Sequence, residues 1–414
     1  MNVKERCYLR DAYVFDFTAK VRESIRMEDG KFGVYLDKTY FYPVSGGQPE
    51  DSGTLGGRRV VAVTEDEKGV LHTIDGELDG MGEIEGHIDA HRRLDHMQQH
   101  TGQHLLSRVF LEMFKARTVG FHLGERYSTI DLDGYFPSDV EIDAVESRVN
   151  GLVRDDLPVA SRIIGAEEYE RIRSRRPGDG ADAVRSRLPG GVESIRIVEI
   201  EGVECSTCCG THCKRTGEIG LVKILGVEKV KGKARVEFVC GGRAVSDYGG
   251  KHRVLRSLAL QFSTDWRGLE QVVGKLVEEN RALGKEKEEL TRELAHFRAV
   301  EFSEPTGNVG GIDIVKRVFE GEDAGALRRV AFEIRDSKSS VVLFGITGPS
   351  PGLVFACTPG LPLEMGELLK LSAGVMGARG GGGKDFAQGG GGDGGKVQEA
   401  LDKAETSVKE LLGG

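Results

Sequence analysis

Two short runs carry the residues most able to do chemistry: His100-Thr101-Gly102-Gln103-His104 and Cys208-Cys209-Gly210-Thr211-His212. Each places two good zinc ligands at i and i+4. On a helix that spacing is one turn, so both side chains leave one face toward a single point. Two His from one run, with a Cys and a His from the other, make a four-ligand set suited to Zn²⁺. One such pair alone is weak, because two His on an apolar face pack or meet solvent. The second pair at the same spacing is what predicts a Zn²⁺ site at His100, His104, Cys208 and His212. A zinc-protease reading fails, because no Glu follows His100 in the required HExxH form.

The cysteines support metal over cross-linking. The count is odd, and four of the 7 crowd between Cys205 and Cys213. A disulfide framework would spread them. Crowding also leaves alternatives open: on spacing alone, Cys205 or Cys209 competes with Cys208, which the register with His212 favours. Cys7, Cys240 and Cys357 sit in apolar segments and are expected as buried thiols.

Around these residues the chain reads as an ordinary globular one. It has 414 residues, 39% of them hydrophobic and 30% charged, enough for two or three domains. No apolar run is long enough to span a membrane, and Met1 to Arg6 lead into no signal core, so a cytoplasmic protein is expected. The net charge of −9 argues mildly against nonspecific nucleic-acid binding but leaves room for a local basic patch. The best patch is Arg171, Arg173, Arg175, Arg176, Arg185 and Arg187. It reads either as a nucleic-acid contact or as a solvated loop and helix end.

The pattern of elements around these residues predicts an α+β fold. Residues 1–90 predict a small β-barrel, with strand-like runs at 34–36, 41–42, 59–63 and 70–74. Residues 91–247 predict the zinc-bearing domain. It has an amphipathic helix carrying His100 and His104, a second helix over 140–157 opened by Ser138, and strands over 195–200 and 229–239. Residues 248–302 predict one long helical region. There Leu269, Leu276, Leu283, Leu290 and Phe297 repeat every seven, with Val273, Asn280, Lys287 and Leu294 in the second seam position. This heptad predicts either a coiled coil that pairs two copies through 269–297 or a helical hairpin within one chain. Residues 303–414 predict an α/β module with buried strands at 341–344 and 353–356 and helices at 324–337, 362–375 and 396–412. A glycine-rich loop over 377–388 carries Arg379 and Lys384, residues of the right charge beside backbone that can approach a phosphate or RNA.

Taken together, these motifs resemble the editing domain of alanyl-tRNA synthetases and its free-standing AlaX relatives. Leu36 to Gln48, reading LDKTYFYPVSGGQ, looks like the first editing motif of that family. The His100 and Cys208 runs look like its two zinc motifs, and Gly377 to Gln388 is similar to the C-terminal DHHA1-type module. Cys209 departs from the pattern, standing where the family usually has Gly. The chain starts almost at the first editing strands, so the resemblance implies the long free-standing form and no aminoacylation domain.

What the resemblance implies is hydrolysis in trans of mischarged tRNA(Ala), chiefly Ser-tRNA(Ala) and in some cases Gly-tRNA(Ala). By the same resemblance Thr39 and Gln48 lie near the substrate, Thr39 filtering the amino-acid side chain. The turn Ser45-Gly46-Gly47 would offer backbone N–H groups to an oxyanion. Zn²⁺ would either activate water or position the substrate. The runner-up is a non-catalytic zinc adaptor that binds tRNA. A DHH phosphoesterase is not supported, because Asp95-His96-Met97 lacks the second His. Expected partners are tRNA(Ala), contacted by Arg379, Lys384, Arg175 and Arg176, and a second copy of the chain.

Overall fold

The computed structural model describes residues 5–175 and 195–413. The chain divides into two compact units, Met1–Leu258 and Ala259–Gly414.

The first unit opens with a barrel of β1 (Asp16–Arg26), β2 (Phe32–Leu36), β3 (Gly53–Leu55), β4 (Arg58–Asp66), β5 (Gly69–Ile74) and β6 (Glu83–Ile88). The strands close in the order β1-β2-β5-β4-β3-β6. Alternation puts Val34, Leu36, Leu55, Val63 and Ile74 inside. Phe41 and Tyr42 are buried in this core but lie in loop, not in the expected strand. Pro43 and the Ser45-Gly46-Gly47 turn interrupt any ladder there.

The barrel leads directly into α1 (Ala90–Phe114), capped by the Asp89 carboxylate on the Arg92 N–H and ended by Lys115 in the left-handed region. Then follow β7 (Thr118–Leu123), β8 (Ser128–Leu132), α2 (Asp139–Arg154), β9 (Val159–Ile164) and α3 (Ala166–Arg175). Beyond the described gap come β10 (Ile195–Ile200), β11 (Glu204–Thr207), β12 (Val222–Val230), β13 (Lys233–Cys240) and α4 (Gly241–Gln261). Helix α2 begins at Ser138 as expected, where Glu141 accepts from the Ser138 N–H at 2.8 Å.

The expected strand over 229–239 is instead two strands. Lys231 and Gly232, both with positive φ, turn the chain into a β12–β13 hairpin. A four-stranded sheet β12-β13-β8-β7 carries α1 and α2, with Met97, Leu105, Val109, Val145, Ile130 and Phe238 in the shared core. A three-stranded sheet β11-β10-β9 stands beside it.

In the second unit the expected single helical region is broken. Chain after α4 turns at Ser263, which has positive φ, before α5 (Leu269–Phe302). Along α5 the heptad seam is exposed from Val273 onward, where Leu283 is 62% and Phe297 69% accessible, while Leu269 at its start is buried. Next come β14 (Gly307–Val309), β15 (Ile312–Glu320), α6 (Ala324–Ser337), β16 (Ser340–Thr347), β17 (Gly352–Cys357), α7 (Met365–Met376), β18 (Arg379–Gly382), β19 (Phe386–Gly390) and α8 (Val397–Gly413). The sheet runs β14-β15-β16-β17-β19-β18, with β15 and β16 parallel. Period-two alternation sends Val341 and Leu343 to α7 and α8, and Val342, Phe344 and Ile346 to α5 and α6.

The glycine-rich run is therefore a hairpin and not a loop. Its backbone groups pair across β18 and β19. Glycine is needed there for contact: a Cβ on Gly380 would stand 2.4 Å from the Gly389 Cα and 2.7 Å from Leu369 of α7. Arg379 and Lys384 are exposed near the two ends of β18.

Candidate metal and editing site

The site is assembled on α1. One face of this helix carries His100 and His104, whose rings stack at 5.3 Å. The second pair does not come from a helix. Cys208 and His212 lie in irregular chain after β11. What holds that segment is the buried Arg196 of β10, whose guanidinium donates to the Cys208 carbonyl at 2.6 Å and the Gly210 carbonyl at 3.0 Å. Gly210 is indispensable to the approach, since a Cβ there would lie 2.1 Å from the His100 ring.

The four ligand atoms lie within 4.8 Å of one another. Cys208 Sγ is 3.3 Å from His100 Nε2 and 3.5 Å from His212 Nε2. Ligand atoms on a tetrahedral Zn²⁺ would stand roughly 3.3–3.8 Å apart at ordinary Zn–S and Zn–N lengths. His104 Nε2 is buried and unbonded by any described protein group, as a metal-directed lone pair would be. Burial by itself raises the Cys208 thiol, yet His100 and His212 beside it hold it well below its ordinary value, the direction that favours metal binding. These residues fit Zn²⁺. Of the competing thiols, Cys205 and Cys213 are buried in separate cores and Cys209 is exposed.

Behind the four lies a polar layer that sequence reading only partly found. Gln48 is fully buried. Its Oε1 accepts from His100 Nδ1 at 2.8 Å, and its Nε2 donates to Thr211 Oγ1 at 2.8 Å. This fixes the His100 tautomer and turns Nε2 toward the cluster. His104 Nδ1 is set against Glu204 Oε2 and Ser206 Oγ, each at 3.2 Å. Nothing in the local spacing marks Glu204, Ser206 or Arg196; the β10–β11 register alone brings them in.

A buried ion pair joins the barrel to the helix. Arg93 donates to Asp51 Oδ1 at 2.9 Å, to the Ala12 carbonyl at 2.7 Å and to the Tyr40 carbonyl at 2.6 Å. Asp51 in turn accepts from the Tyr42 N–H at 2.6 Å. The loop that carries Gln48 is thereby locked to α1.

Thr39 stands apart from this arrangement. Its hydroxyl is 2.8 Å from His72 Nε2 and accepts from the Phe41 N–H at 3.0 Å. His72 donates its Nδ1–H to the Val34 carbonyl at 3.0 Å, so its Nε2 must accept from Thr39. The cavity beside them is about 10 Å³, scarcely room for a water. Neither Thr39 nor Gln48 thus presents a free polar group: Thr39, just past the end of β2, is held inward by His72, and Gln48 supports a histidine. At the Ser45–Gln48 turn, the two end residues use their N–H groups on each other's carbonyls, at 3.1 and 2.9 Å. Gly47 is pressed on Phe121, whose ring packs 5.0 Å from His100.

Comparison with known proteins settles the family. The alanyl-tRNA editing protein AlaX-L of Pyrococcus horikoshii is 32% identical over 93% of this chain and 94% of its own length. The chain belongs to the alanyl-tRNA editing proteins. Aarsd1 of Danio rerio, another editing protein, is 32% identical over 71% of this family member and 72% of its own length. The alanine–tRNA ligase of Halorubrum lacusprofundi is 33% identical over 98% of the chain, which spans 44% of that enzyme. Residues 195–237 match the threonyl and alanyl tRNA synthetase second additional domain. That stretch contains Arg196, Glu204, Cys208 and His212. Among solved structures, the C-Ala domain of Aquifex aeolicus alanyl-tRNA synthetase is similar over 26% of the chain and 97% of its own, with 27% identity and a TM-score of 0.23.

Of the expected tRNA contacts in this editing protein, Arg175 ends α3 and Arg176 lies outside the described residues, as do Arg185 and Arg187. No helix among the described residues is long and apolar enough to cross a membrane.

Proposed function

We propose that this editing protein is a zinc-dependent hydrolase that deacylates mischarged tRNA(Ala), chiefly Ser-tRNA(Ala) and secondarily Gly-tRNA(Ala). The observation that carries this reading is the buried convergence of His100, His104, Cys208 and His212 around one point. When bound there, Zn²⁺ would polarise the ester carbonyl and make water more acidic.

The chain's own groups have definable parts. Gln48 holds the ring of His100, and Glu204 with Ser206 holds that of His104. Thr39 and His72 act as positioning residues, fixing the chain that runs through Phe41 to Gln48. Phe121 covers the His100 ring and limits water around it. Arg379 and Lys384, together with Arg175 and Arg176, supply phosphate contacts to the tRNA, which makes binding salt-dependent.

Functionally we divide the chain into a barrel (1–90), a zinc editing domain (91–247), a helical spacer (248–302) and a C-terminal RNA module (303–414). The seam over 269–297, exposed from Val273 onward, supports a coiled-coil homodimer. Concentration-dependent mass by light scattering checks it.

The deciding experiment measures deacylation of Ser-tRNA(Ala) and Ala-tRNA(Ala) by the purified protein, with and without a zinc chelator. Loss of serine alone, abolished by the chelator, is the expected result. A zinc-loaded protein that binds tRNA and releases neither amino acid would overturn it.

A further inference from the structure

The four metal-directed side chains are not equally held. His100 has Gln48 at its outer nitrogen, and Gln48 is itself gripped by the Thr211 hydroxyl and N–H. His104 has Glu204 and Ser206. Cys208 has its carbonyl tied by Arg196, and its Sγ lies 3.5 Å from the Gly210 N–H. His212 has none of this. Its Nδ1 is buried, and no described protein group bonds it. Its ring meets those of His100 at 4.4 Å and His104 at 5.1 Å. The backbone on either side stays anchored: the Thr211 N–H reaches Gln48 Oε1 at 3.2 Å, and the Cys213 N–H reaches Thr101 Oγ1 at 3.0 Å.

We infer that His212 is the exchangeable member of the set, the side chain that yields its position when the aminoacyl ester arrives. This inference rests on the zinc reading above. A set of four protein ligands describes a closed site, whereas catalysis needs an open position. Outer hydrogen bonds fix a ligand's tautomer and direction and strengthen its hold on the metal. A histidine without them is the one whose release costs least. Its anchored backbone means that release needs only a side-chain rotation, with no rearrangement of the loop.

The test uses the full chain and the variants His100→Ala, His104→Ala, Cys208→Ser and His212→Ala, each checked for native circular dichroism. Zn²⁺ affinity is read by competition with a chromophoric chelator. Expected is one equivalent of Zn²⁺ retained by His212→Ala, weakened by no more than about 100-fold, the scale of losing an orienting partner. The other three variants should lose far more. A second reading uses Co²⁺-loaded protein and seryl-3′-aminoadenosine, an amide that resists hydrolysis. The analogue should shift the visible bands of wild type, and His212→Ala should already show the shifted coordination without it.

If His212→Ala misfolds, His212→Gln carries the same test. Zn²⁺ lost equally from all four variants overturns the exchange of His212 and leaves the zinc reading standing. A wild-type chain that takes up no Zn²⁺ overturns the zinc reading itself.

Discussion

The metal-directed cluster and the glycine-rich hairpin were both conspicuous in the sequence, and the folded chain treats them in opposite ways. At the cluster, potential ligand side chains converge, and each of three is backed by a buried polar partner. At the hairpin, the glycines pair as β18 and β19 and let α7 approach, and Arg379 and Lys384 stay exposed near the strand ends. Buried polar groups imply partners, because desolvation is costly without them. Glycines imply only that something comes close.

The largest effect expected from breaking this contrast is at the cluster. His104→Ala should lose Zn²⁺ and deacylation together, and retained metal by elemental analysis would count against the ligand assignment. Arg93→Met should follow. It leaves Asp51 buried and unpaired, at about 3–5 kcal/mol of stability in a denaturant melt. An unchanged midpoint would mean that barrel and helix are joined by other contacts.

The barrel should show a pH signature of similar size. Burial pushes His72 down to about 4. From about pH 6.5 to pH 4 the unfolded chain takes up a proton on this ring that the folded barrel refuses. Stability is therefore full above that window and falls as pH falls through it, by about 3 kcal/mol in total. His72→Asn should flatten the profile. Thr39→Val, which leaves His72 Nε2 without its donor, should lower stability by about 1–3 kcal/mol at neutral pH.

At the hairpin, Gly380→Ala should cost about 1–3 kcal/mol by overpacking against Gly389 and Leu369. Zn²⁺ content should stay unchanged, which separates packing from metal binding. The smallest effect is electrostatic. Replacing Arg379 and Lys384 by Ala should reduce the salt dependence of tRNA binding by about two phosphate contacts, read from the slope of log K against log salt. An unchanged slope removes them from the interface.

Much of the fold was legible because it depends on local periodicity. The Ala324–Ser337 helix, the β10 strand and the Ser138 start of α2 follow from helical period, alternation and cap respectively. The misreadings have equally local causes. Lys231-Gly232 turned one apparent strand into a hairpin, and Ser263 broke one apparent helix, through positive φ values that composition signals only weakly.

By itself the sequence determined which side chains are available: two His one turn apart, a Cys and a His at the same spacing, a glycine between them, and a glycine-rich run flanked by cations. These are matters of identity and short-range order, and they suffice to mark a candidate metal-ligand set and a resemblance to the editing family. Tertiary structure alone decided how each is held. It drew Gln48 behind His100 and Glu204 behind His104, turned Thr39 inward to His72, and left the Nδ1 of His212 without a partner among the described residues. The physical reason is distance along the chain. Gln48 meets Thr211 across 163 residues and Glu204 meets His104 across 100, and no local preference encodes a hydrogen bond of that reach.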